Sequence, residues 1–105
     1  SDDMLIIRGV NLFPTQIEEL VLQEGRLSGQ YQLVVTREGL LDEVEVRCEV
    51  QPAHAAADRA ALGARLQQRI KTLIGVSTTV SVGLPDSIER TLVGKARRVI
   101  DRRPK

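Results

Sequence analysis

Aromatic residues are nearly missing from this chain: it has no tryptophan, one phenylalanine, Phe13, and one tyrosine, Tyr31. A surface that stacks the bases of single-stranded nucleic acid needs several such rings, so nucleic acid is a disfavoured partner. Cysteine and histidine occur once each, as Cys48 and His54. That excludes an internal disulfide and a Cys/His zinc cluster, and no metal site is expected. No apolar run approaches the roughly 20 residues that span a bilayer, so a membrane partner is not expected either. The amino end lacks a basic n-region, an apolar h-region and a small-residue cleavage site, which makes a cytoplasmic setting the expectation. The glycine fingerprints of adenine-nucleotide folds, internal repeats and low-complexity linkers are also absent.

What is present is a balanced chain of 105 residues, 42% apolar and 28% charged, the size and composition of one globular domain. Its net charge of +1 is unevenly spread. Residues 95–105 hold six cations against Asp101, so they carry +5 and the remainder −4. Such a basic end suits either phosphate groups or plain solvent.

The apolar run at residues 4–7 ends at Arg8-Gly9 and resumes at Val10, a pattern that predicts an N-terminal hairpin around Gly9. Pro14 and the Thr15-x-x-Glu18 pattern then launch a helix with Ile17, Leu20 and Val21 on one face, stopped at Gly25. Tyr31, Leu33 and Val35 alternate with Gln32, Val34 and Thr36 as a strand up to Gly39. Val44, Val46, Cys48 and Val50 alternate with Glu43, Glu45, Arg47 and Glu49 as a second strand with one solvated face. Residues 55–74 place Leu62, Leu66, Ile70, Leu73 and Ile74 on one stripe of a long helix closed by Gly75. Gly63 inside that helix costs about 1 kcal/mol relative to alanine, which points to close packing or local tolerance. Thr78, Val80 and Val82 form a last central strand, and a polar loop leads to Gly94-Lys95 and an appended tail. The fold class expected is α+β, a small split βαββαβ-like domain. Its antiparallel central sheet would carry two helices on one face and the N-terminal hairpin.

Few residues suggest chemistry by themselves. Cys48 points inward and reads as a small core hydrophobe, because no base stands near it in sequence. His54 has no nucleophile or second ligand at useful spacing and reads as a surface residue. Glu43, Glu45 and Glu49 fall on the polar side of their strand and read as a solvated face rather than a general acid/base pair.

Two segments remain that packing does not explain: the opening Asp2 to Pro14, and Gly94-Lys95-Ala96-Arg97-Arg98-Val99-Ile100-Asp101. The first, followed by Gln16-Ile17-Glu18-Glu19, resembles the hinge motif of the acyl-adenylate-forming ligases, in particular the phenylacetate-CoA ligase branch. The second resembles that branch's lysine motif. Both stand in the family's order, and the likeness spans essentially the whole chain as the small carboxy-terminal domain.

The resemblance implies a single mobile domain, residues 1–105, swinging on a large amino-terminal adenylation domain. It implies ATP with Mg2+ held by that large domain, CoA as co-substrate, and an aryl acid such as phenylacetate as substrate. Carried over by motif, Lys95 matches the catalytic lysine, Asp2 the hinge, Gly9 the glycine beside the CoA channel, and Gly94 the position that lets the backbone approach phosphate. The Gly-Arg that precedes the hinge in the family is missing, since this sequence begins at Ser1. Many relatives have Arg-Ser-x-Gly before the lysine; here Arg90-Thr91-Leu92-Val93-Gly94 is longer, which leaves the role of Arg90 open. A homodimer is also left open. The rival expectation is a ferredoxin-like regulatory or protein-interaction domain that binds a small molecule or a partner without catalysis.

Overall fold

The computed structural model describes residues 3–90 and 98–104. β1 (Leu5–Ile7) and β2 (Val10–Leu12) pair antiparallel as the expected hairpin and form a two-stranded sheet of their own. After α1 (Pro14–Gln23) come β3 (Leu27–Glu38) and β4 (Leu41–Val50), then a 3-10 turn at Pro52–His54. α2 (Arg59–Ile74), β5 (Thr79–Gly83) and β6 (Val99–Asp101) complete the chain. The main sheet has four strands in the order β5-β4-β3-β6.

The α+β plan with its N-terminal hairpin is as the pattern predicts, but the sheet is mixed. β3 and β4 pair antiparallel, whereas β5 runs parallel to β4 and β6 parallel to β3. The helix between β4 and β5 is the cause. Its 16 residues, rising about 1.5 Å each, carry the chain back along the sheet, so β5 starts from the same end as β4. β5 is therefore an edge strand rather than a central one. The appended tail supplies the other edge as β6, a strand of three residues that is too short to show alternation.

Local chemistry explains the helix ends. Pro14, not Thr15, opens α1, since its fixed φ suits a first helical position. The Phe13 amide donates to Gln16 Oε1 at 2.9 Å, so glutamine does the capping that the Thr15/Glu18 pair was expected to do. α2 begins at Arg59, four residues later than the apolar pattern suggests. Asp58 Oδ1 accepts there from the Ala61 amide at 3.1 Å, and residues 52–54 form a separate turn. Its end matches the expectation, with Gly75 at φ +89.

Both helices contribute to one core against one face of the sheet. Ile17, Leu20, Val21, Leu62, Leu66 and Ile70 meet Tyr31, Leu33, Val35, Val44, Val46, Cys48 and Val50, and Leu5, Ile7 and Leu12 of the hairpin join them. Gly63 sits where α2 comes closest to β5: a Cβ there would stand 3.2 Å from the Val80 carbonyl oxygen. Leu73, assigned to the core stripe from sequence, is 61% exposed, because it lies on the outer side of the last helical turn.

Candidate functional site

The hairpin turn is built by two residues with positive φ, Arg8 at +48 and Gly9 at +80, between Ile7 and Val10, which face each other in register. Two left-handed residues match the twist of an antiparallel hairpin, and glycine adopts that conformation without the strain a Cβ brings. Around Gly9 a Cβ would meet nothing within 4 Å, so the backbone angle, not crowding inside the chain, calls for glycine. Arg8 is held from outside the turn. Its Nη2 donates to the Ser77 carbonyl at 2.5 Å and its Nη1 lies 3.8 Å from Glu43.

The other three sequence-predicted site residues, Asp2, Gly94 and Lys95, lie outside the described residues. The chain on either side of Gly94-Lys95 is described, and it is anchored at both ends. β5 and β6 occupy opposite edges of the sheet. On the near side, Arg90 makes a two-armed ion pair with Glu49 of β4, with Nη1 3.0 Å from Oε2 and Nη2 on Oε1. Glu49 is only 1% exposed. Its carboxylate also accepts from the Ile88 amide at 3.1 Å and from Ser28 Oγ at 3.1 Å. Burial pushes the Glu49 carboxyl up, but hydrogen bonds from Arg90, Ile88 and Ser28 outweigh it and hold the group below its ordinary value.

On the far side, the Leu33 amide donates to the Arg98 carbonyl at 2.7 Å, and the Arg98 guanidinium lies 4.4 Å over the Tyr31 ring. Tyr31 is itself fixed, 1% exposed, with its hydroxyl 3.3 Å from Glu18 Oε2.

The exposed-face reading of the acids thus needs correction at one position. Glu43 is exposed and Glu45 half-buried, whereas Glu49 is buried. It points away from the apolar core, as alternation requires, but the 88–90 segment lies against it. Alternation reports which face a side chain is on, not what a distant segment lays over that face. The weak signal available was at the strand end, where Glu49 lies between Cys48 and Val50. Arg90, whose role the sequence left open, is the partner.

Cys48 is buried, and desolvation, with the Glu49 charge as a second cause, pushes its thiol up to about 12, so it is no nucleophile. His54 is exposed in the turn before α2. Among the described residues no group of three or more His, Cys, Asp and Glu could hold a metal ion, and no helix is long and apolar enough to cross a membrane.

Comparison with known proteins places this geometry. Residues 9–103 match the model of the AMP-binding enzyme C-terminal domain. A phenylacetate-coenzyme A ligase from Aromatoleum evansii is 51% identical over 109 residues, covering 100% of this chain and 25% of that protein. The chain therefore spans about a quarter of the length of the curated relatives it matches. Among solved structures, a domain of phenylacetate-coenzyme A ligase from Bacteroides vulgatus superposes with a TM-score of 0.86 at 29% identity, over 99% of this chain and 96% of that one. A 2-hydroxyisobutyryl-CoA ligase in complex with 2-HIB-AMP and CoA, in its thioester-forming state, gives 0.82 at 40% identity over 97% of this chain and 22% of that one. The same ligase in its postadenylation state gives 0.76 at 39% identity, over 94% and 21%. A mixed sheet under two helices, an N-terminal hairpin turning at Gly9 and an Arg90 held by buried Glu49 are thus the form taken here by a member of the AMP-binding enzyme C-terminal domain family.

Proposed function

We propose that residues 1–105 form the single mobile C-terminal lobe of a cytoplasmic, ATP-dependent aryl acid–CoA ligase, with phenylacetate as the substrate. The observation that carries this reading is the 51% identity to a phenylacetate-coenzyme A ligase along the full chain. The carboxylate attacks the α-phosphate of ATP, forming the acyl-adenylate and releasing pyrophosphate. The CoA thiol then loses its proton and attacks the acyl carbon, and AMP leaves as the thioester forms.

Each proposed residue has a physical task. Lys95 brings a compact positive charge to the α-phosphate region, where negative charge builds up as pyrophosphate departs. Gly94 lets the backbone come close to phosphate, having no Cβ. Asp2 takes up the dihedral change at the joint with the large lobe. Gly9 turns the hairpin beside the CoA arm. The pairs Glu49–Arg90 and Leu33–Arg98 support the reading by fixing the chain on both sides of Gly94-Lys95. Mg2+ would travel with ATP on the large lobe, since no described cluster fits it. The partners in this reading are the large lobe, the aryl acid, ATP and CoA, without nucleic acid or membrane.

The test is AMP formation by the full-length ligase carrying this domain, with phenylacetate, ATP and CoA. Turnover that requires phenylacetate and is not supported by short aliphatic acids is the expected result; the reverse preference overturns the substrate assignment. Asp2→Pro in the same enzyme fixes φ at the joint and is expected to slow thioester formation more than adenylation. Equal rates in both steps would remove the hinge role.

A further inference from the structure

The hairpin that carries Gly9 has no ladder to the main sheet; β1 and β2 hydrogen-bond only to each other among the described strands. Besides the core contacts of Leu5, Ile7 and Leu12 and those of Arg8 with Ser77 and Glu43, one side chain from the far end of the chain bridges the gap. Arg103 Nη1 donates both to the Ile6 carbonyl of β1 and to Asp42 Oδ2 of β4, each at 2.9 Å. Its Nε and Nη2 grip the Asp101 carboxylate of β6 at 3.0 and 2.9 Å. Arg37 Nε of β3 takes the second Asp42 oxygen at 2.8 Å. Two guanidinium groups thus face two carboxylates, a neutral cluster that joins β1, β3, β4 and β6 around one fork. The Arg103 side chain is 16% exposed, and its backbone is set by β6, with the Arg102 amide donating to the Val35 carbonyl at 2.8 Å.

We propose that Arg103 is a positioning residue that locks the Gly9 hairpin to the sheet, so that hairpin and lysine-bearing lobe turn as one body. This rests on the reading of Gly9 as part of the CoA channel. The geometry separates the two half-reactions. The described anchors of the segment before β6 are Glu49 for Arg90 and Leu33 for Arg98, and Arg103 touches neither. Losing Arg103 should therefore loosen the hairpin and leave the Arg90–Glu49 and Leu33–Arg98 anchors intact. A lysine cannot replace it, because one ammonium lacks the planar fork that holds Asp101 while reaching Ile6 and Asp42.

The first test is amide hydrogen exchange on the 105-residue chain. Arg103→Gln should speed exchange in residues 5–12 while α1 and β3 keep their protection; unchanged hairpin exchange overturns the lock. The second is kinetics of the full-length ligase. Arg103→Gln is expected to raise the KM for CoA about tenfold, the scale of a lost charge-assisted hydrogen bond, with acid-dependent ATP–pyrophosphate exchange within about twofold of the parent. Arg103→Lys should restore little of the CoA affinity. A merely structural staple would lower both half-reactions together, and that result overturns the positioning role. Should Arg103→Gln fail to fold, Asp42→Asn, which keeps the shape and removes the charge, is expected to give the same split at smaller amplitude. Gly9→Ala separates the two ideas. If it raises the KM for CoA and Arg103→Gln does not, the lock is wrong. If neither variant does, the channel reading of Gly9 fails, and faster hairpin exchange in Arg103→Gln still supports the lock.

Discussion

The two faces of the four-stranded sheet are held by different forces. On the helix-covered face, Leu33, Val35, Val44, Val46 and Val50 are excluded from water by Ile17, Val21, Leu62, Leu66 and Ile70. That contact is additive and undirected, and swaps that conserve volume are tolerated. On the opposite face β4 presents Glu43, Glu45, Arg47 and Glu49. Ser81 Oγ donates to Glu45 Oε2 at 2.8 Å, Arg47 pairs with Glu45 at 2.9 Å, and Arg90 pairs with Glu49. Those contacts are directional, and each names one partner. The first face is expected to supply most of the stability, and the second holds the 88–90 segment.

The largest effect should come from the apolar face. Ile70 is fully buried, and Ile70→Ala is expected to cost about 2–5 kcal/mol. For a domain of this size that lowers Tm by more than about 10 °C. A fall of only a few degrees in thermal denaturation would mean that the apolar layer is not the main support.

Glu49→Gln comes next. Breaking a buried pair costs about 3–5 kcal/mol, and the lower end applies because Arg90 is partly exposed. The variant also has a pH signature. The Glu49 carboxyl in the folded chain lies below its ordinary value of 4.5, and Asp42 and Asp101 lie below their ordinary 3.8, chiefly through hydrogen bonds from Arg37 and Arg103 respectively. A depressed carboxyl contributes stability that is complete above the unfolded pKa and lost as pH falls through the folded one. Tm should therefore be flat near neutrality and fall as pH drops through and below the range of these ordinary values, with a shallower fall in Glu49→Gln. An identical acid profile in the variant would show that Glu49 is not a charged anchor.

A smaller effect is expected at Gly63, where α2 packs on β5. Alanine gains about 1 kcal/mol of helix propensity but places a methyl 3.2 Å from the Val80 carbonyl oxygen, and overpacking costs about 1–3 kcal/mol. Urea denaturation of Gly63→Ala should show a net loss of about 1 kcal/mol. A gain would reveal slack between helix and strand. The smallest effect belongs to Arg8 and Glu43, 3.8 Å apart and substantially exposed. A double-mutant cycle should give no more than about 1 kcal/mol of coupling.

The same contrast governs what the sequence makes legible. The periods of Ile17-Leu20-Val21 and Val44-Val46-Cys48-Val50 report burial against a neighbouring layer, so both helices, the β3–β4 pair and the inward turn of Cys48 follow from local pattern. Leu73 departs from it because a helical stripe outlasts the layer beneath it. β6, with three residues, is too short to carry a period that would announce its parallel pairing with β3. Glu49–Arg90 and Arg103–Ile6 join residues 41 and 97 positions apart through single polar contacts, which leave no periodicity behind. Of the candidate site, Gly9 was legible only as a hairpin turn, because it interrupts the apolar run, and the structure gives it φ +80; its channel role came from motif resemblance. Lys95, Gly94 and Asp2 were reached through motif resemblance, not through physical pattern.

The central claim is that one lysine of this lobe serves the first half-reaction and is dispensable in the second. Rapid-quench single turnovers of the full-length ligase with Lys95→Ala test it most directly. Acyl-adenylate formation should slow by about 10²- to 10³-fold, the loss typical of one preorganised electrostatic contact, while thioester formation from supplied acyl-adenylate and CoA keeps the parent rate. Equal slowing of both steps, or of neither, contradicts the account.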